Sequence, residues 1–162
     1  MNNKTLNIEF SEHENVSDGL PESTANLLAL ADGNLKNAYA PYSNFKVSSA
    51  LQLENKEIVL GTNQENAAYP SGLCAERVAI FSAKSQYPNQ KVEKLVITTE
   101  QYREQPFSPC GACRQVIAEY EQQQKSPIEI TLKAGNSKVW VFKSIGDLLP
   151  FSFDGDVLLK KG

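Results

Sequence analysis

Apolar positions along this chain repeat at two periods, and the switches between them predict its elements. Pro21 and Glu22 open a segment in which Leu27, Leu28, Ala31, Leu35 and Ala38 fall near one helical face. Gly33 weakens that helix by about 1 kcal/mol relative to alanine. Pro41 ends it, because the residue before a proline leaves the α region. Residues 45–53 read as a strand, residues 54–56 as a turn and residues 57–60 as the returning partner. A helix is predicted from Cys74 to about residue 85, with Val78, Phe81 and Ala83 as core candidates. The β-rich run 94–99 predicts a central strand, and a further helix reaches about residue 123 with Val116, Ile117 and Tyr120 facing inward. Strands at 128–132 and 138–142 flank a turn at 134–136, and a last helical turn at 144–149 stops at Pro150. Strands and helices interleave, which predicts an α/β domain: a mixed sheet of about five strands with helices on both faces.

The first twenty residues follow another pattern. They are polar, and Leu6, Ile8 and Phe10 alternate with polar neighbours at the period of a short strand. A disordered tail fits this segment too; an extra strand on a sheet edge is the expectation adopted. Residues 1–20 are thus read as an N-terminal extension and residues 21–162 as a single domain. No internal repeat, low-complexity tract or linker interrupts it.

Composition narrows the setting. A chain of 162 residues with 41% hydrophobic and 22% charged residues suits one globular domain with a real core. A net charge of −3 argues against a protein that grips phosphate backbones, so no nucleic-acid partner is expected. No apolar run approaches the roughly 20 residues of a membrane span, and residues 1–5 lack the apolar core of a signal peptide. A cytoplasmic protein is expected. Its reducing surroundings disfavour disulfides, and all three cysteines fall inside two short motifs.

The first motif runs over residues 63–77 and ends in Cys74-Ala75-Glu76-Arg77. The second is Pro109-Cys110-Gly111-Ala112-Cys113-Arg114-Gln115. Three thiolates hold a zinc ion and leave a fourth position for water. Their summed charge weakens the metal as a Lewis acid, so something positive must offset it. Arg77 and Arg114 adjoin the cysteines and can donate to their sulfurs, and both motifs begin helices, whose N-termini favour thiolates. Glu76, beside a ligand without being one, is placed to carry the water's proton. Bland readings stand beside these. Glu76 fits a capping carboxylate, the arginines fit solvated helix residues, Cys110 and Cys113 fit a redox dithiol, and His13 could complete a closed structural site.

With these motifs quoted, the chain resembles cytidine deaminases of the small all-cysteine type. The similarity rests on Ala40-Pro41-Tyr42-Ser43-Asn44-Phe45-Lys46-Val47, residues 63–77, residues 109–115 and Leu148-Leu149-Pro150-Phe151-Ser152-Phe153, in order over roughly residues 22–153. It implies a three-layer α/β/α fold, one zinc at Cys74, Cys110 and Cys113, and Glu76 as the proton shuttle in hydrolytic deamination of cytidine and 2′-deoxycytidine. It further implies that Asn63 and Glu65 meet the ribose hydroxyls, that the Ala75 amide meets the base carbonyl, and that Phe45 and Phe153 pack on the base. Tyr69 falls near a subunit boundary, and the assembly implied is a homotetramer with shared sites. Ser48-Ser49 departs from the Gly-Ala usual there. Two other readings remain open: a noncatalytic zinc-stabilised binding module, and a deaminase of a modified cytosine nucleoside, against which Asn63-x-Glu65-Asn66 argues.

Overall fold

Both faces of the central strand are covered, and this decides the layering. The computed structural model describes residues 1–158. Strand β4 (Val92–Thr99) lies inside a six-stranded sheet, antiparallel to β2 (Val47–Leu53) on one side and parallel to β5 (Glu129–Ala134) on the other. β3 (Ile58–Thr62) pairs outside β2, and β6 (Val139–Phe142) pairs outside β5, both antiparallel. Leu95 and Ile97 of β4 point with Leu51, Leu53, Ile130 and Leu132 toward α2 (Ala75–Gln86) and α3 (Gly111–Gln124). Val96 points the opposite way, with Ala50 and Val139, onto Leu27, Leu28 and Ala31 of α1 (Glu22–Asn34). Alternating side chains bury two opposed layers, so the sheet carries one helix on one face and two on the other.

The site is positioned by how closely α2 lies on the sheet. Ala75, Ala79 and Ala83 repeat every four residues and are fully buried. Their small side chains bring the helix down onto β3, where a Cβ at Gly61 would stand 2.5 Å from Ala75 O and from Ala79 N. Only glycine fits there, and the contact fixes the height of the helix start and its Cys74-Ala75-Glu76 run. The same packing corrects two core expectations: Ile80 is buried, whereas Phe81 is exposed and Val78 only half-buried. The alanine face, not the bulkier residues, turns inward. α1 passes Gly33 without a break, ends at Asn34 and tightens into a 3₁₀ turn at Leu35–Asn37.

At the other edge the paired strand, β1, is Ser11–His13, against β6. Leu6, Ile8 and Phe10 precede it and stay substantially exposed. Three alternating apolar residues need a sheet face to bury on, and none is offered to the first two. Pairing begins where Glu12 accepts from Lys138 Nζ at 2.8 Å and from Trp140 Nε1 at 2.7 Å. Phe10 lies against Trp140 and Phe142, with ring centroids 5.0 and 5.2 Å apart.

Candidate active site

Two helix N-termini meet over one end of the sheet, and each begins on a cysteine. Cys74 is the N-cap of α2 and Cys110 the N-cap of α3, and neither side chain caps its own helix. Cys113 follows in the first turn of α3 and is fully buried. The sulfurs lie 3.9 Å apart for Cys74–Cys110 and 3.6 Å for Cys110–Cys113, and all three fall within 4.8 Å of one another. Thiolates 2.3 Å from a tetrahedral zinc sit about 3.8 Å apart, so this cluster fits the ion in both spacing and donor type. His13 takes no part: its Nδ1 is 2.6 Å from Asp18 O on the β1 side, and among the described residues only the three cysteines gather. A dithiol reading leaves Cys74 in this cluster unexplained.

Charge is tuned by the same packing. The Cys74 thiol is pulled down to about 5, first by hydrogen bonding with Cys113 and then by Arg77, whose Nη2 donates to its sulfur at 3.8 Å. Cys113 is pushed upward by the same sulfur contact and by burial. Glu76 is only 4% exposed. Burial raises its pKa to about 7, with the neighbouring Cys74 charge adding to the effect.

Cys74, Glu76, Arg77 and Cys110 line a cavity of about 810 Å³, inside the range of small-molecule sites, while Cys113 is buried outside its lining. Phe45, Asn63, Glu65, Tyr69, Cys74, Glu76, Arg77 and Cys110 all line it. Residues 63–65 are held in place by backbone bonds to Tyr39 and Leu73. Asn63 spans the chain beside Phe45: Nδ2 donates to Phe45 O at 2.8 Å, and Oδ1 accepts from Val47 N–H at 2.9 Å. Glu65 accepts from the Ser43 hydroxyl and from the N–H groups of Tyr42 and Ser43 at 2.9 and 3.3 Å. Those donors, the Ser43 hydroxyl first, hold its carboxyl below the usual range. Ala75 is buried between Cys74 and Glu76.

Two expected residues stand elsewhere. Arg114 does not reach a sulfur: Nε donates to Pro109 O at 2.8 Å, Nη1 to Leu148 O at 2.7 Å and Nη2 to Ser108 Oγ at 2.8 Å. It braces the loop before Cys110 against the C-terminal segment. Phe153 lies outside its own chain's cavity, 60% exposed, with its backbone held by both ends of the Gln115 amide. Sequence reasoning missed Phe107, which lines the cavity and meets Phe45 edge-on, centroids 5.0 Å apart and planes at 88°. Its signal was faint: one aromatic in a polar stretch, three residues ahead of Cys110.

Residues 21–126 match the family model described as the cytidine and deoxycytidylate deaminase zinc-binding region. A cytidine deaminase of Sporosarcina psychrophila is 39% identical over 133 residues, covering 82% of this chain and 92% of that protein. One from Halalkalibacterium halodurans is 36% identical over 120 residues, covering 74% and 85%. The crystal structure of cytidine deaminase from Burkholderia pseudomallei superposes with a TM-score of 0.70 at 39% identity, covering 79% of this chain and 97% of that one.

Proposed function

The chain belongs to the cytidine and deoxycytidylate deaminase family and is a zinc-dependent hydrolytic cytidine deaminase; from that premise we propose how its residues divide the work, and that 2′-deoxycytidine is a substrate too. Water and cytidine give uridine and ammonia. The observation that carries the reading is the cluster of three sulfurs, two of which, Cys74 and Cys110, line one nucleoside-sized cavity together with the buried carboxyl of Glu76.

In this reading Cys74, Cys110 and Cys113 hold zinc, which when bound polarises a water molecule and draws its pKa toward ~7. Glu76 accepts a proton from the attacking water and delivers it to the ring nitrogen beside the reacting carbon; it then takes the second proton from the same oxygen, as that becomes the carbonyl of the product, and passes it to the departing amine. The Ala75 N–H holds the base carbonyl and Phe45 packs against the base. Asn63 and Glu65 each keep spare hydrogen-bonding capacity for the ribose hydroxyls after their backbone contacts are counted. The test is direct: loss of cytidine absorbance with equimolar ammonia release, run beside a panel of modified cytosine nucleosides. No turnover of cytidine by zinc-loaded protein would overturn it.

Arg77 sets the charge beside the sulfurs. Removing it leaves the thiolate cluster more negative, which opposes every further ionisation there. Arg77→Ala should therefore lower kcat and move the acid limb of its pH profile upward, with zinc retained. Full activity on an unchanged profile would make Arg77 a packing residue.

The finer assembly belongs to this reading as well. Phe151 and Phe153 are 88% and 60% exposed in the single chain. Exposed aromatics of this kind favour an interface, so we read the protein as a homotetramer in which Phe153 covers the base in a neighbouring subunit's cavity. Mixing Glu76→Gln and Phe153→Ala chains should restore part of the activity that each lacks alone. A monomer in light scattering, or no recovery from verified mixed oligomers, would count against shared sites. The three free thiols suit a reducing cytoplasm, and pyrimidine salvage is the role proposed. No described helix is long and apolar enough to cross a membrane.

A further inference from the structure

The turn that carries Phe45 is tied down on every side. Asn44 sits in the left-handed region at φ 53°, a conformation asparagine tolerates at some cost. Phe45 N–H donates to Ser43 Oγ at 3.0 Å, and its carbonyl accepts from Asn63. The carbonyls on either side lead to a different place, the exit of β4. Lys46 O accepts from Glu100 N–H at 3.2 Å, and the Lys46 and Glu100 side chains pair at 3.5 Å. Asn44 O accepts from Gln101 Nε2 at 2.8 Å.

Gln101 is held for that single bond. Its backbone carbonyl accepts from Thr99 Oγ1 at 3.1 Å, and Thr99 lines the cavity. Its Oε1 is buried with no partner, so the side chain is not kept in place by a second polar contact. The oxygen it grips belongs to the peptide plane between Asn44 and Phe45. Rotation of that plane changes Asn44 ψ and Phe45 φ together, and Phe45 φ aims the Cα–Cβ bond. The segment beginning at Gln101 also brings Phe107 to the edge of the Phe45 ring. One side chain outside the cavity wall thus helps to set the angle of an aromatic inside it.

We propose that Gln101 is a positioning residue for the nucleoside base, fixing the Phe45 ring through the Asn44 carbonyl. This rests on the deaminase reading and on Phe45 as the base-packing residue. Without the amide donor, the Asn44–Phe45 peptide plane is held only through the Phe45 N–H to Ser43 Oγ bond, and the ring's orientation is less sharply fixed. The base then binds a less well oriented wall, which costs affinity in substrate and transition state alike.

The experiment is a double-mutant cycle on the zinc-loaded protein with cytidine as substrate. Gln101→Met keeps length and removes the donor without adding charge. In the parent background it should raise KM on the order of tenfold and leave kcat within about twofold. In a Phe45→Leu background, which keeps an apolar wall but no ring plane, the same change should alter KM by less than about twofold. Gln101→Glu serves as the second variant if the methionine protein does not fold. An unchanged KM in the parent background, or the same penalty in both backgrounds, overturns the proposal, since a merely structural residue would act regardless of the ring. Absence of cytidine turnover in the parent protein would instead overturn the deaminase reading itself, so the two failures are distinguishable.

Discussion

Cys110→Ala should purify with well under one zinc per chain and no measurable deaminase activity. Of the three cysteines it is the cleanest to remove. Its side chain is exposed at the start of α3, so the change opens no cavity in the core. Cys113 is fully buried, and truncating it would mix metal loss with a packing defect. Cys74 accepts from Arg77, so its loss would also strand a cation. Two sulfurs seldom hold a catalytic zinc, and the free energy of binding is shared with folding. The variant should therefore also unfold at lower temperature, with the difference shrinking when both proteins are stripped by chelator. Metal analysis, turnover and thermal unfolding with and without chelator check the three parts. Stoichiometric zinc in an active Cys110→Ala protein would mean that the ion sits elsewhere.

The cysteine cluster was legible because its information is local. Cys-x-Glu opens one helix and Cys-x-x-Cys another, and helix starts are among the easier features to read from a chain. The direction of a side chain that leaves such a motif is not local. Arg77 and Arg114 look equivalent in sequence, each directly or nearly adjacent to a cysteine. Arg77 turns to a sulfur, while Arg114 finds three oxygens, one of them on Leu148, that only the folded C-terminal segment brings near. Phe107 and Gln101 lie in the irregular stretch after β4, where no periodicity marks an inward face. The core of α2 was misread for a related reason. Size suggested Phe81 inside, but the close approach at Gly61 required alanines. The N-terminal alternation signalled an edge strand a few residues too early, since Glu12 and its partners on β6, not Leu6 and Ile8, decide where pairing starts.

Glu76→Gln should keep zinc and the fold while losing on the order of 10²–10⁴-fold in kcat. The amide matches the carboxyl in shape but cannot accept and return a proton, and the proposed path uses this one group for successive transfers. The structure adds a stability consequence that a mere capping carboxylate would not show. Glu76 is buried and its pKa is raised from 4.5 to about 7, chiefly by that burial. A carboxyl raised in the folded state favours folding most fully below its unfolded pKa, and that contribution is lost as pH rises through the folded value. For metal-free protein the loss between pH 4.5 and pH 7 amounts to about 3 kcal/mol. Glutamine does not titrate, so the metal-free variant should lose less stability than the metal-free parent across that window and exceed it at neutral pH. Denaturant unfolding at several pH values measures this, beside kcat and zinc content of the loaded proteins. Near-normal turnover would place the proton shuttle elsewhere. Low turnover with identical pH slopes for parent and variant would show that Glu76 catalyses without being held near neutrality by burial. The expected pair of results, turnover lost and neutral-pH stability gained, would identify Glu76 as a group whose catalytic setting the fold maintains at a cost to its own stability.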